Sequence, residues 1–438
     1  MHDLLIKDAL FVTCDQNHKI VYDGIMAVKN GRITALEQSE SDAGRQLQAH
    51  QTLSAKGRLV MPGLINTHCH AGDSLFRGLV EGLTLESWLG QVWIAEKAIL
   101  TKETTYLGSV LGLAENLVAG VTTVMDMFWY PNETVRAAND LGMRLSTGGI
   151  FFDLPGIGDR LHVNYIKEAE TFMATHQESE SIFPAILPHG SYTVSPKHLE
   201  DGKAISDRYG ALFSTHAAET QAEQADILNR YGKSVIRHLQ AHDLLGPRSI
   251  LAHCVHVDTT EIKMMADSGT IVAHNPMSNL KLGSGIAPVS EMLEAGIKIT
   301  LGTDGAISGN DLDMWLTMRL AASLPKGVMM RADVVTAKQV LHMATLNGAE
   351  ALGQSKNLGS LEPGKAADFI VLDLNSIHAV PMFDAITHLV YSTSKSDVCD
   401  VFVDGRQVVH DGKAIKVNMD QTLENVRTLA PSIKASLE

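Results

Sequence analysis

The sequence predicts an α/β protein: a (β/α)8 TIM barrel with a small β-sandwich domain built from both termini. Three observations carry that prediction. Eight short apolar runs alternate with helical stretches through the middle of the chain. Six of the eight runs end in His or Asp. Both ends of the chain are instead rich in short strands. An open doubly wound sheet is the competing arrangement. The strand-end polar residues favour the barrel, because functional groups project from the C-terminal ends of barrel strands.

The elements follow in order. Residues 4–13 (LLIKDALFVT), 24–30 and 31–38 read as strands, with Lys29-Asn30-Gly31 as a turn. The barrel runs are 58–70, 121–127, 144–152, 183–190, 211–219, 249–254, 270–276 and 298–305. Between the first two, Leu107, Val110, Leu111, Ala114, Leu117 and Val118 keep helical spacing after a start at Thr101. A second long helical region is expected over Ala222–Leu245. The tail returns to strands (ADFIVLDL, DVCDVFVDG, RQVVHDGK) with Asp-Gly turns. The expected organisation is therefore 1–57, N-terminal part of the sandwich; 58–361, barrel; 362–438, C-terminal part of the sandwich plus a tail helix.

Composition narrows the function classes. The chain has 438 residues, enough to bury a full core. It carries 36 Lys+Arg against 50 Asp+Glu, a net charge of −14. That balance argues against nucleic acid polymers and anionic membranes, which reward basic surfaces. No apolar stretch reaches the length of a membrane span. Four cysteines in a chain this long make no disulfide framework. The first residues lack the basic segment of a signal peptide. The expectation is a soluble cytoplasmic protein.

The strand-end residues define the chemistry. Run one ends in His68-Cys69-His70. His68 and His70 are two apart, so on a strand both rings point to one face and Cys69 points away. His216 ends run five and Asp304 ends run eight. Three His plus one carboxylate, with a position open for water, is a catalytic zinc-type donor set; iron or manganese accepts the same ligands. Glu219 lies three residues past His216, where it would border a metal without binding it and could move protons. His189, His253 and His274 end runs four, six and seven.

These residues resemble the amidohydrolase superfamily. The resemblance rests on Met61-Pro-Gly-Leu-Ile-Asn-Thr-His-Cys-His70, Ser214-Thr-His-Ala-Ala-Glu219, Leu251-Ala-His-Cys254, Ala273-His-Asn-Pro-Met-Ser-Asn-Leu-Lys281 and Leu301-Gly-Thr-Asp-Gly305. Within the superfamily the chain is similar to metal-dependent aminohydrolases, the group of S-adenosylhomocysteine/5′-methylthioadenosine deaminases and triazine hydrolases. The resemblance implies one divalent metal, zinc with iron as the alternative, on His68, His70, His216 and Asp304. It implies that Asp304 also takes a proton from the activated water. Glu219 would protonate a ring nitrogen and then the leaving amine, and His253 would orient the attacking water. Run four, Ile186-Leu-Pro-His189-Gly190, has no Lys to bridge two metals, so a mononuclear site is expected. A homo-oligomer is implied as well.

The implied function is hydrolytic deamination of an amino-purine nucleoside, such as 5′-methylthioadenosine, S-adenosylhomocysteine or adenosine. Water activated at the metal would attack the carbon and release ammonia. The resemblance implies that Glu96 holds ribose hydroxyls, that His189 contacts the ring, and that Arg160 contacts the substrate. A second carboxylate-binding Arg of the family falls at Gly148 here, which points toward a neutral substrate. Two other readings stay open. One is a triazine-type or other heterocycle hydrolase with chloride or amine leaving. The other is a non-catalytic relative, although every ligand position is filled.

Overall fold

The structure is a computed structural model that describes residues 1–154 and 164–438. Two nine-stranded sheets organise it. The first is parallel and closes into the predicted barrel. Its strands are Leu64–His70, Val121–Asp126, Arg144–Phe151, Ile182–Pro188, Leu212–Ala217, Ser249–His253, Ile271–His274, Ile299–Leu301 and Asp304–Gly305. The last two both come from run eight. Ile299–Leu301 pairs with Ile271–His274, whereas Asp304–Gly305 pairs with Leu64–His70, opposite Cys69 and His70. The eighth strand thus closes the ring in two pieces. The break falls at Gly302, where a Cβ would lie 2.3 Å from the Asn275 side chain and 2.7 Å from that of His68. Only glycine lets the chain pass this close to a site residue. Strands buried on both faces, as in Val121–Asp126 and Leu212–Ala217, explain the near-continuous apolar runs.

The second sheet is mixed and comes from both termini. Its order is Lys413–Ala414, Arg406–His410, Val398–Val403, Phe369–Asp373, Arg58–Pro62, His2–Val12, Ile20–Lys29, Arg32–Gln38, with Ala49–Ser54 beside His2–Val12. Phe11, Met26, Ile33, Phe369 and Phe402 build its core, the last two stacked at 4.4 Å. The run 58–70, expected as one barrel strand, is divided. Arg58–Pro62 pairs with Phe369–Asp373 and His2–Val12 in the terminal sheet, and the barrel strand starts at Leu64. Strand pairing therefore sets the changeover at Gly63 rather than at residue 58. A Cβ at Gly63 would lie 2.2 Å from the Thr122 side chain, so the crossing requires glycine.

Two helical expectations resolve differently. Lys102–Val118 starts as predicted, with Thr101 and Thr104 forming a reciprocal cap. The region 222–245 is two helices, Gln221–Tyr231 and Val235–Ala241. Gly232, at φ +68°, ends the first as a left-handed C-cap. Arg144 of the third barrel strand forks onto Asp368 beside the terminal sheet, with bonds of 2.7 and 3.0 Å. The tail helix Met419–Ala435 leaves the terminal sheet. It packs on barrel helices Leu85–Ile99 and Lys102–Val118, with Ile433 buried among their side chains. Among the described residues, no helix is long and apolar enough to cross a membrane.

Candidate metal centre and substrate cleft

The polar residues at the strand ends converge at one mouth of the barrel. His68 and His70 lie edge to face at 4.9 Å between ring centres, on the same side of their strand. The His216 ring lies 4.8 Å from His68 and 5.3 Å from His70. Asp304 Oδ1 sits 3.0 Å from His70 Nε2 and 3.3 Å from His68 Nε2. Ligand atoms of His68, His216, His253 and Asp304 all fall within 4.8 Å of one another. That four-residue group contains His253, while His70 adjoins it through Asp304 and His216.

The surrounding bonds fix which atoms point inward. His70 Nδ1 lies 2.5 Å from the Met127 carbonyl, and His216 Nδ1 lies 2.5 Å from the His189 carbonyl. A carbonyl only accepts, so both Nδ1 atoms carry the hydrogen and both Nε2 atoms, if neutral, present lone pairs. Those two Nε2 atoms are 3.3 Å apart. Nε2 of His68 and of His253 are buried without hydrogen-bond partners among the described residues. Lone pairs and a carboxylate oxygen crowded into one small space repel unless a cation lies between them. This donor set of imidazoles and a carboxylate fits a divalent ion.

Electrostatics agrees. Burial pushes the His68 imidazole down to about 4 and His189 to about 3, and it drives His216 well below its ordinary value. These rings are neutral, as the proposed ligands His68 and His216 must be. Burial would also lower His70, but the Asp304 carboxylate outweighs it and takes that group up to about 10. Asp304 thus draws a positive charge to the His70 position. Burial alone would raise Asp304; its contacts with His68 and His70 reverse this and hold it well below the usual carboxylate range. Its Oδ2 accepts bonds from Ser278 at 2.6 Å and Ser308 at 2.7 Å, which leaves Oδ1 turned to the imidazoles.

Glu219 and His253 flank the cluster. Glu219 Oε2 lies 3.6 Å from His253 Nε2, and its Oε1 accepts a 3.2 Å bond from Ser284. Burial raises the Glu219 carboxyl, which suits a group that must both take and give a proton. His253 Nδ1 lies 2.7 Å from Asn279 Oδ1, so this ring too presents Nε2 to the site. Ala218, His253, Cys254 and Asp304 all hold positive φ, between +48° and +76°. Such backbone strain in non-glycine residues gathers where side-chain aim matters more than stability.

A cleft opens beside the cluster. Its lining joins His70, Glu219, His253 and Asp304 to His189, Glu96, Asp73, Tyr192 and an aromatic wall. Three of the chain's four tryptophans, Trp88, Trp93 and Trp129, belong to it, a wall suited to a planar heterocycle. Glu96 Oε2 accepts a 3.1 Å bond from Trp129 Nε1, and burial lifts this carboxyl to about 7. His189 Nδ1 bonds Thr193 Oγ1 at 2.8 Å. His274 is buried but does not line the cleft. Arg160 lies outside the described residues. Gly148 sits in a strand where a Cβ would be 2.2 Å from the Ala185 carbonyl oxygen, so no side chain fits there.

Sequence reasoning missed Ser278, Asn279, Ser284, Ser308, Trp129 and Asp73. A signal existed for some. Ser278 and Asn279 stand in the Asn-Pro-Met-Ser-Asn run straight after a strand-end His, where polar residues on a first helical turn face the barrel mouth.

An amidohydrolase family profile matches residues 59–408. A 5-methylthioadenosine/S-adenosylhomocysteine deaminase from Syntrophobacter fumaroxidans is 38% identical over 432 residues, covering 99% of this chain and 98% of that protein. A 5′-deoxyadenosine deaminase from Methanosarcina barkeri is 36% identical over 436 residues, 99% of each. Among solved structures, an adenosine deaminase from Xanthomonas campestris with bound zinc superposes with a TM-score of 0.95, at 31% identity and 99% coverage of both chains.

Proposed function

The chain belongs to the amidohydrolase family, and on that premise we propose that it is a mononuclear metal-dependent aminohydrolase. It deaminates an amino-purine nucleoside, such as 5′-methylthioadenosine, S-adenosylhomocysteine or adenosine, and releases ammonia. The observation that carries this reading is the pairing of a buried Glu219–His253 couple with a cation-demanding His/Asp cluster in one aromatic cleft. Names of the similar deaminases support the substrate class.

His68, His70, His216 and Asp304 would hold one divalent ion, zinc in our reading and iron as the alternative. When bound, such an ion supplies Lewis acidity that makes water a nucleophile at neutral pH. The remaining chemistry belongs to side chains. Asp304 accepts a proton from the attacking water through Oδ1, while Ser278 and Ser308 keep Oδ2 in place. His253, fixed by Asn279, orients that water through Nε2. Glu219 delivers its proton to the ring nitrogen as charge develops there; it then takes the hydroxyl proton of the tetrahedral carbon and passes it to the departing amine, and the proton held by Asp304 returns to Glu219. Glu96 accepts from ribose hydroxyls, His189 contacts the ring, and Arg160 contacts the substrate. The absence of an arginine at Gly148 favours a neutral substrate over one bearing a carboxylate. We place the protein in the cytoplasm as a homo-oligomer; none of its four cysteines is paired.

The test is a panel of adenosine, 5′-deoxyadenosine, 5′-methylthioadenosine, S-adenosylhomocysteine and chloro- or amino-triazines, with ammonia and chloride both followed. Ammonia from nucleosides is expected, lost on chelation and restored by one equivalent of zinc or iron per chain. Chloride without ammonia would support the triazine reading. No turnover on any of them, with metal bound, would favour a non-catalytic relative.

A further inference from the structure

Asp73 is a carboxyl in the cleft to which the reaction above gives no task. It sits in the 3-10 turn Ala71–Phe76, directly after the strand that ends in His70, and is 4% exposed. Its Oδ1 accepts the Ala306 backbone N–H at 2.9 Å. Its Oδ2 has no hydrogen-bond partner among the described residues. That oxygen lies over Gly305, where a Cβ would approach it to 1.8 Å, so glycine leaves the space Asp73 occupies. Asp73 also lines the cleft.

The barrel fixes which side of a ligand Asp73 meets. Glu219 follows the fifth strand and Asp73 follows the first. Four strand positions separate them in the eight-membered ring, so the two carboxyls stand on opposite walls. A planar ring between these walls, with its reacting carbon at the His/Asp cluster, turns one edge to Glu219 and the other to Asp73. If Glu219 serves the six-membered ring nitrogen beside the reacting carbon of a purine, the opposite edge carries N7 of the five-membered ring. N7 has a lone pair and no hydrogen.

We propose that Asp73 is a substrate-binding residue whose carboxylic O–H donates a hydrogen bond to N7 of the purine. This rests on the deaminase reading above. Burial raises the Asp73 carboxyl well above its ordinary range; Asp304 and Glu96 raise it further, against the opposing pull of His70. A neutral carboxyl matches both of its tasks: the carbonyl oxygen accepts from Ala306 and the hydroxyl donates to the ring.

The test compares the preferred nucleoside with its 7-deaza counterpart, in which C–H replaces N7. Metal-loaded wild type, Asp73→Ala and Asp73→Asn are assayed, with metal content measured in each. Wild type should prefer the parent nucleoside in kcat/KM by about tenfold or more, the scale of one buried hydrogen bond. Asp73→Ala should lose that preference. Asp73→Asn should keep it, since its amide supplies an acceptor for Ala306 and an N–H for N7. Equal losses on both substrates in Asp73→Ala would overturn the proposal and leave Asp73 as a brace for the Ala306 turn. So would loss of the preference in metal-loaded Asp73→Asn, which covers the case where the alanine variant does not fold. Calorimetric binding of the 6-oxopurine nucleoside product and its 7-deaza form reads the same contact without turnover. Turnover with no 7-deaza effect in wild type defeats this inference alone. Neither turnover nor binding of any nucleoside defeats the deaminase reading and this inference together.

Discussion

Replacing Glu219 by Gln isolates proton transfer from everything else at this site. The side chain is 2% exposed, touches Ser284 through Oε1 and faces His253 through Oε2. Gln has the same shape, so it opens no cavity and keeps an acceptor for Ser284. It cannot shuttle a proton at neutral pH. A positioned acid–base group contributes roughly 10²–10⁴-fold to rate. At about 1.36 kcal/mol per tenfold, the variant gives up about 2.7–5.4 kcal/mol of transition-state stabilisation. Substrate binding is untouched to first order, so the loss should fall on kcat with KM nearly constant. The assay is steady-state ammonia release, with bound metal measured by elemental analysis and folding by thermal melt. Full metal content, an unchanged melt and a kcat lower by two or more orders of magnitude are expected. A kcat within a few-fold of wild type would refute the shuttle role. Loss of metal together with activity would refute the claim that Glu219 borders the ion without binding it.

Two further outcomes follow from residues away from the cleft. Arg144→Met should destabilise the fold by about 3–5 kcal/mol, because it leaves the buried Asp368 carboxylate without its guanidinium; the urea midpoint reads this, and an unchanged midpoint contradicts it. Adding Asp368→Leu should recover much of the loss. His238 is buried against Tyr231 at 4.4 Å between rings, and burial lowers it from the usual 6.5 to about 4. The unfolded chain therefore binds a proton near pH 6.5 that the folded chain refuses until about 4. This contribution to stability is full above pH 6.5 and is lost as pH falls through that window. His238→Gln should flatten the acid side of the stability profile between those limits, and an identical profile in the variant would contradict the assignment.

What the sequence disclosed and what it hid have physical reasons. Strand-end His and Asp are visible because a barrel strand is short, apolar and abruptly terminated, so a polar terminus stands out. His68, His70, His216 and Asp304 were legible as a set for that reason; in space His68, His216 and Asp304 group with His253, and His70 adjoins them through Asp304 and His216. The partners that aim them were not. Ser278, Ser308 and Asn279 are polar residues in helical turns, where serine and asparagine are common, and only the fold shows that they face Asp304 and His253. The division at Gly63 was hidden because both halves of residues 58–70 are equally apolar. Each half is buried, but in a different sheet. The break at Gly232 was predictable in principle, since glycine after Arg230-Tyr231 is an ordinary helix stop. The tail helix gave no hint that it would lie on the helix carrying Trp88 and Glu96, because its amphipathic stripe names no partner.

The junction at Gly63 also sets an order of events during synthesis. Arg58–Pro62 emerges early, yet one of its neighbours is Phe369–Asp373, near the end of the chain. The strand that bears His68 and His70 continues from it, so that end has its early neighbour His2–Val12 from the start and gains its second anchor only when those late residues arrive. At roughly 5–20 residues per second of translation, that anchor follows Asp304 by seconds. Until then the four proposed ligands stand on three strands, and the first of these, with His68 and His70, continues from a strand that still lacks one neighbour.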